Sequence, residues 1–135
     1  MRETKDLSVL IAEDDPAILH LAKAVLTKEG FTVETCTNGE DAIIAIRARR
    51  FDLVICDESM PKATGTAVAE YLRQNPDSKH IPFIMISAEN NSKHFTELLQ
   101  KGIINLFLPK PYSPTLLINM TRCLLQIKTF ATNEK

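Results

Sequence analysis

The 135-residue sequence lacks the features that mark membrane and secreted proteins. It has only three cysteines, Cys36, Cys56 and Cys123, and an odd number of well-separated cysteines suits neither a disulfide framework nor a zinc site. No apolar run approaches the roughly 20 residues that a membrane-spanning helix needs. The first residues also lack the apolar stretch and cleavage site of a signal peptide. We therefore expect reduced thiols, no membrane contact and a cytoplasmic location.

The sequence also lacks an excess of charge of either sign. Its 16 lysines and arginines nearly balance its 17 aspartates and glutamates, which gives a formal net charge of -1. Because a basic excess is what usually attracts nucleic-acid phosphates, we expect no direct nucleic-acid partner. The length suffices for one hydrophobic core and is too short for two. We expect one domain over residues 1–135, with a core at about 7–130 and short polar tails.

What the sequence does contain is one pattern repeated five times, a short apolar segment followed by a longer segment with helical spacing. The predicted strands are residues 7–12, 31–36, 51–56, 82–87 and 103–108. Near-continuous apolar runs such as 7–12 are typical of strands that are covered on both faces. The alternation predicts an α/β fold, with a doubly wound parallel sheet of five strands between two layers of helices.

The last predicted helix begins at Ser113-Pro114 and carries apolar residues on two sides. We expect one stripe to face the core, and its members are Leu116, Leu117, Met120, Leu124 and Ile127. Ile118 and Leu125 lie together on the opposite side of a helical wheel. We therefore expect Ile118 and Leu125 on an outer face, where they are candidates for a homodimer or target surface.

Suitable polar groups follow four of the five predicted strands, at the edge where open parallel sheets bind ligands. These groups are Glu13, Asp14 and Asp15 after the first strand, Asp57 after the third, Ser87 at the end of the fourth, and Lys110 after the fifth. We interpret Asp15, which precedes Pro16, as a helix cap. If the first and third strands are neighbours, the remaining three carboxylates converge, and their repulsion must be offset by a cation or by protonation.

The chemistry of these groups points to phosphoryl transfer. A site of carboxylate oxygens without histidine or cysteine suits Mg²⁺ better than zinc. The ammonium of Lys110 and the hydroxyl of Ser87 are useful for holding phosphate oxygens. A carboxylate beside Mg²⁺ and these two groups is equipped to accept a phosphoryl group as an aspartyl phosphate.

Four segments of the sequence resemble the receiver domains of two-component response regulators, the CheY-like, flavodoxin-like fold. They are VLIAEDDP at 9–16, FDLVICDESMP at 51–61 together with Gly65, IMISA at 84–88, and FLPKP at 107–111. The segments occur in the family's order and at its spacing, and they span nearly the whole chain. The resemblance implies the strand order 2-1-3-4-5, which places the first and third strands side by side.

The resemblance also implies a role for each site residue. Asp57 would be the phosphoacceptor, and Mg²⁺ would be bound by Glu13, Asp14, Asp57 and the backbone carbonyl of Ser59. Ser87 would bind a phosphoryl oxygen and Lys110 would pair with the phosphoryl group. The Lys110–Pro111 bond is cis in many relatives.

In the family, phosphorylation shifts the hydroxyl residue, here Ser87, and an aromatic residue on the fifth strand, here Phe107. These shifts reshape the face formed by the fourth helix, fifth strand and fifth helix. Phe107 lacks the phenol oxygen of the more frequent tyrosine, so its switching would rest on packing alone. Ser59 and Glu89 lie where the family controls access of water to the acyl phosphate.

The partners follow from the same resemblance. The histidines His20, His80 and His94 fall away from the predicted strand ends, so we expect the phosphoryl donor to be external, a sensor histidine kinase or a histidine phosphotransfer protein. The output would be a downstream protein target or an output domain. The sequence leaves open whether the chain acts alone or as the receiver of a longer regulator. In either case we expect a signalling domain whose only chemistry is self-phosphorylation and slow self-hydrolysis, rather than an enzyme.

Two alternatives from other classes fit less well. A Mg²⁺-dependent phosphohydrolase of the haloacid-dehalogenase type also forms an aspartyl phosphate, but it typically needs an acid two residues after the nucleophile, where this chain has Ser59. A flavodoxin-like flavin carrier would need hydroxyl and glycine donors in the first turn, which here is acidic.

Overall fold

The computed structural model describes residues 4–89 and 92–127, without the side chains of Lys5 and Ser92. A short 3-10 helix, Thr4–Asp6, precedes the first strand. The strands are β1 (Ser8–Ala12), β2 (Thr32–Cys36), β3 (Leu53–Asp57), β4 (Phe83–Ser87) and β5 (Leu106–Pro109). The helices are α1 (Pro16–Lys28), α2 (Gly39–Ala48), α3 (Gly65–Gln74), α4 (Ser92–Gln100) and α5 (Pro114–Leu124). In the described parts of the chain, no helix is both long enough and apolar enough to cross a membrane.

The five strands form one parallel sheet in the order β2-β1-β3-β4-β5, which confirms the predicted fold class and strand order. Ala12 at the end of β1 lies in register with Cys36 of β2 and with Cys56 of β3. The chain order reverses between β1 and β3, so the residues that follow these strands emerge side by side. This is the edge at which doubly wound sheets bind ligands.

The core has two layers, one on each face of the sheet. Alternate strand residues such as Leu10 and Val54 pack against α2, α3 and α4. Their neighbours Val9 and Leu53 pack on the other face against α1 and α5. Because successive side chains of a strand point to opposite faces, both faces must be apolar, which explains the near-continuous apolar runs of β1, β3 and β4.

The helix ends mostly follow the expected capping chemistry. The carboxylate of Asp15 accepts hydrogen bonds from the backbone N–H groups of Ala17 and Ile18, which confirms that it caps α1. Gly102, just after α4, has a φ of 74°, a left-handed conformation that glycine adopts without strain.

The start of β5 differs from the prediction. The strand begins at Leu106 rather than at residue 103, because Ile103 lies in the turn that closes α4 and its N–H donates to the carbonyl of Leu98 at 2.9 Å. Ile104 is buried without being in the strand. The apolar residues Ile103 and Ile104 therefore indicate that the segment packs against the core, but its backbone forms a turn rather than a strand. The other end of the predicted core, residues 128–130, lies outside the described residues.

The predicted outer face of α5 is wrong. Ile118 and Leu125 are buried in the core beneath α5, with exposed fractions of 8% and 1%, whereas Leu116 is 44% exposed. The buried stripe runs through Leu117, Ile118, Thr121 and Leu125, and Thr121 is fully buried. A polar residue at the centre of the stripe concealed its spacing, so Ile118 and Leu125 provide no homodimer surface.

Candidate functional site

Three carboxylates meet at the carboxyl ends of β1 and β3. Glu13 and Asp14 follow β1 directly, and Asp57 is the last residue of β3. One carboxylate oxygen from each lies within 4.8 Å of the others. Glu13 and Asp57 are buried while Asp14 is exposed, so the cluster opens to solvent on the Asp14 side. The structure thus brings together the three side chains that the strand-end pattern predicted to converge.

Lys110 is the cation of this cluster. Its Nζ lies 3.2 Å from Oδ1 of Asp57 and 3.0 Å from Oε1 of Glu13, and it donates a hydrogen bond to Oε2 of Glu13. The Lys110–Pro111 bond is cis, as the resemblance implied, and the backbone N–H of Lys110 donates to the carbonyl of Ser87. One ammonium among three carboxylates leaves the site with an excess of negative charge.

The pKa values of the buried groups reflect this excess. Burial and the neighbouring charge of Glu13 raise the pKa of Asp57 to about 6, against the opposing effect of Lys110. Burial lowers the pKa of Lys110, but its contacts with Glu13 and Asp57 outweigh burial and leave the pKa raised. The ammonium is therefore held in its charged form, and Asp57 is mainly ionised above about pH 6.

The donor set fits a hard divalent cation. Oε1 of Glu13 is buried and, although close to Lys110, accepts no hydrogen bond within the described residues. The single ammonium of Lys110 offsets only part of the charge of the three carboxylates, so a second cation beside them is favourable. Carboxylate oxygens close together with one exposed flank are what Mg²⁺ prefers.

Ser87 and Phe107 lie on the two strands beyond β3. Ser87 is the last residue of β4 and follows Ile86, which pairs with Asp57 of β3. The buried Oγ of Ser87 accepts a hydrogen bond from the N–H of Glu89 at 2.9 Å. Phe107 on β5 is partly buried and stacks on Phe95 of α4, with ring centroids 4.5 Å apart and planes inclined by 16°. The two predicted switch residues therefore lie on adjacent strands that lead from the site to α4.

The loops after β3 and β4 are joined by a side-chain hydrogen bond. Ser59 Oγ donates to the carboxylate of Glu89, and both residues are exposed. This contact brings together the two residues that the resemblance placed on the route of water.

Gly65 allows α3 to begin close to the end of β3. A Cβ at this position would lie 2.6 Å from the carbonyl oxygen of Asp57 and 3.0 Å from Cα of Glu58, distances that backbone atoms do not tolerate. The N–H of Gly65 donates to the carbonyl of Glu58 at 3.0 Å. The glycine of the sequence motif is thus explained by a close approach of two backbone segments.

A cluster beside Asp57 was missed from the sequence. The prediction that His94 lies away from the strand ends is wrong, because its Nε2 is 3.0 Å from Thr66 Oγ1 and 3.8 Å from Oε2 of Glu58, the residue after Asp57. His94 and Thr66 are 28 residues apart in the chain, and a lone histidine near the start of a helix carries no signal of such a contact.

Comparison with known proteins gives one consistent result. The model of the response regulator receiver domain family matches residues 9–122. The phosphate regulon transcriptional regulatory protein PhoB of Rhizobium meliloti is 30% identical over 118 residues, which cover 87% of this chain and 52% of that protein. Chemotaxis protein CheY-3 of Vibrio cholerae is 28% identical over 110 residues, 81% of this chain and 84% of that protein.

A solved structure is similar as well. The response regulator protein TrrA of Thermotoga maritima, determined in complex with Mg²⁺ and beryllium fluoride, superimposes with a TM-score of 0.76 at 28% identity, over 87% of this chain and 98% of that one. The chain spans about half the length of the transcriptional regulators that it matches.

Proposed function

The chain belongs to the response regulator receiver domain family, and on that premise we propose that Asp57 accepts a phosphoryl group from an external donor and thereby switches a surface of the domain. The observation that carries the proposal is the buried Asp57 at the end of β3, with Lys110 at 3.2 Å and two further carboxylates within 4.8 Å. The family is one of signalling domains rather than of enzymes, and its match disfavours the phosphohydrolase alternative.

In the proposed reaction, an ionised oxygen of Asp57 attacks the phosphorus atom of the donor. A bond forms between Asp57 and phosphorus, and the bond between phosphorus and the donor's leaving group breaks. Lys110 already lies beside Oδ1 of Asp57, so its ammonium is placed to pair with the phosphoryl oxygens. The hydroxyl of Ser87 is free to rotate and donate to one of these oxygens while its Oγ accepts from Glu89.

Mg²⁺ is the cation that we propose for this site. Glu13, Asp14 and Asp57 would hold it through carboxylate oxygens, and Ser59 through its backbone carbonyl. When bound, the ion supplies positive charge that offsets the carboxylates and the phosphoryl oxygens. The grouping of three carboxylates around a single ammonium supports this assignment.

The switch would run from Ser87 to Phe107. A phosphoryl group adds charge and acceptor oxygens that attract the Ser87 hydroxyl and Lys110, and this movement gives Phe107 a new packing position. The surface formed by α4, β5 and α5 would then present a different shape to a protein target or an output domain. The absence of direct nucleic-acid contact remains a prediction from the charge balance.

The test is phosphorylation by a small donor. The purified protein is incubated with Mg²⁺ and acetyl phosphate, and its intact mass is measured over time for the wild type, for Asp57→Asn and for Asp77→Asn. Asp77 is an exposed aspartate near the other end of the sheet and serves as the matched control. We expect one phosphoryl group on the wild type and on Asp77→Asn, and none on Asp57→Asn.

Two results would reject the proposal. One is a wild-type mass that never changes under conditions in which acetyl phosphate is consumed by a known receiver. The other is equal phosphorylation of Asp57→Asn, which would place the acceptor elsewhere.

A further inference from the structure

Glu58, Thr66 and His94 form a hydrogen-bonded cluster that connects three elements beside Asp57. Oε1 of Glu58 accepts hydrogen bonds from the N–H of Thr66 at 2.7 Å and from the Thr66 hydroxyl at 2.8 Å. The oxygen of that hydroxyl lies 3.0 Å from Nε2 of His94. The cluster thus joins the end of β3, the first turn of α3 and the first turn of α4.

The hydrogen-bond directions in the cluster are determined by its chemistry. The single proton of the Thr66 hydroxyl is used in the bond to Glu58, so Thr66 Oγ1 can only accept from His94. His94 therefore carries a proton on Nε2, a state that Oε2 of Glu58 at 3.8 Å also favours. Each bond depends on the next one, so displacement of Glu58 changes the contact made by His94.

Burial makes this chain of bonds sensitive to small movements. The side chain of Glu58 is only 12% exposed and that of His94 is 35% exposed. Water can therefore replace a lost partner only in part, and hydrogen bonds weaken steeply as their distance and angle change. A displacement at the start of the β3–α3 loop therefore changes the hydrogen-bonding geometry that Thr66 and Glu58 offer to His94.

The next residue of α4 provides a second anchor. Phe95 is buried, with 1% exposure, and stacks on Phe107 of β5. Two consecutive residues thus attach the first turn of α4 to elements on opposite sides of β4, His94 to the first turn of α3 and Phe95 to β5. The contact through His94 bypasses Ser87 and Phe107 altogether.

We propose that the Glu58–Thr66–His94 cluster is a second route from Asp57 to α4, in which His94 is the positioning residue. The inference rests on the proposed function, because the signal that it transmits is the phosphorylation of Asp57. Glu58 is covalently next to Asp57, so new charge and new contacts at Asp57 displace its backbone and carboxylate. The displacement passes through Thr66 to His94 and shifts the first turn of α4. This route supplements a Phe107 that has no phenol oxygen with which to report its position.

The test measures the response of α4 to a phosphoryl mimic by NMR. Amide spectra are recorded with and without saturating Mg²⁺ and beryllium fluoride, and occupancy of the site is read from the β3 amides of Leu53–Asp57. The response of α4 is read from the amides of residues 93–100. His94→Phe removes the hydrogen bond but keeps a ring, whereas His94→Gln keeps an N–H donor at a similar reach.

We expect the mimic to shift α4 less in His94→Phe than in the wild type. We compare two states of α4, the one present without the mimic and the one that the mimic favours. At saturation the ratio of the favoured state to the other should fall about fivefold, which corresponds to the loss of one hydrogen bond of about 1 kcal/mol. His94→Gln should restore most of the response. Thr66→Val, which lacks the hydroxyl but keeps the shape, should reproduce His94→Phe, and the exposed-loop variant His80→Phe should behave as the wild type.

The outcomes separate the two proposals. If the β3 amides of the wild type do not shift on addition of the mimic, the proposed function is rejected, and the coupling role of the Glu58–Thr66–His94 cluster is rejected with it. If β3 responds in every variant and α4 responds fully in His94→Phe and Thr66→Val, only the coupling role is overturned. Equal losses in His94→Phe and His94→Gln would also overturn it, because the effect would then not depend on the hydrogen bond.

Discussion

At the amino end of the sheet the guanidinium of Arg73 lies among oxygen acceptors, whereas at the carboxyl end Glu13 and Asp57 lie close together with one ammonium beside them. Arg73 donates hydrogen bonds to the carbonyls of Ile103, Lys79 and Ile81 and to Oδ1 of Asn105, at 2.7 to 3.0 Å. The carboxyl end instead has a carboxylate oxygen without a hydrogen bond and an Asp57 whose pKa is raised to about 6.

The difference shows how one sheet separates stability from reactivity. The acceptors of Arg73 are neutral and belong to the loops that lead into β4 and β5, so the guanidinium joins two loops without repulsion. At the other end, the repulsion between carboxylates is unfavourable, and it favours binding of a cation at the site. Functional sites commonly retain such unfavourable interactions, which the rest of the fold offsets.

The largest expected change in stability comes from removing the hydrogen bonds of Arg73 at the amino end of the sheet. Arg73→Met removes four hydrogen bonds, of which those to the carbonyls of Ile103 and Ile81 are partly buried, and we expect the free energy of unfolding to fall by about 2–4 kcal/mol. Urea denaturation measures this change. Arg47→Met, which removes an exposed arginine from the last turn of α2, should change stability by no more than about 0.5 kcal/mol. Equal effects of the two variants would contradict a structural role for the Arg73 network.

A smaller effect of opposite sign is expected at the carboxyl end. Asp57→Asn removes a buried charge from its carboxylate neighbours, and without divalent ions at pH 7.5 we expect the free energy of unfolding to rise by about 1–3 kcal/mol, since each pKa unit corresponds to about 1.4 kcal/mol. Urea denaturation of the wild type, Asp57→Asn and the exposed control Asp77→Asn measures the gain. A destabilised Asp57→Asn would show that Asp57 stabilises the fold.

The pH dependence of this gain has a definite sign. The pKa of Asp57 is about 6 in the folded chain and 3.8 as the reference value for the unfolded chain, so the folded chain binds more protons between these values. Wild-type stability attributable to Asp57 therefore falls as the pH rises from about 4 to about 6. The advantage of Asp57→Asn should be largest above pH 6 and should disappear near pH 4.

The smallest effect concerns the cation. If Mg²⁺ binds only the folded chain, a tenfold excess over its dissociation constant stabilises the wild type by about 1.4 kcal/mol. We expect chelation to lower the melting temperature correspondingly, and Asp14→Asn, which changes an exposed member of the cluster, to abolish this response. The amino-end variant Arg47→Met should respond to Mg²⁺ as the wild type does. An undiminished response of Asp14→Asn would show that the ion binds elsewhere.

The sequence predicted the carboxyl end better than the amino end. Asp57 ends a strand and Glu13 and Lys110 each follow one directly, so the topology of the sheet alone brings them together. Arg73 lies within a helix, and three of its four acceptors are backbone carbonyls in loops, which have no signature in the sequence. The same reason explains why the contact of His94 with Thr66 was missed.

The errors in the predicted elements have a related cause. Apolar residues at 103 and 104 indicated burial correctly but not whether the buried backbone is extended. The side chains at 116, 117, 118, 120 and 124 of α5, and at 125 just after it, are all apolar, so the pattern alone does not define which side faces the core. The position of the sheet and the burial of Thr121 decided it.

The sequence by itself determined the alternation of strands and helices and the side chains that emerge at the carboxyl edge, because hydrophobic periodicity and chain connectivity are local properties. The tertiary structure decided which face of α5 is buried, which carbonyls accept from Arg73, and that Glu58, Thr66 and His94 meet beside Asp57. These contacts depend on the packing of helices across the sheet, where a change of a few ångströms exchanges one partner for another.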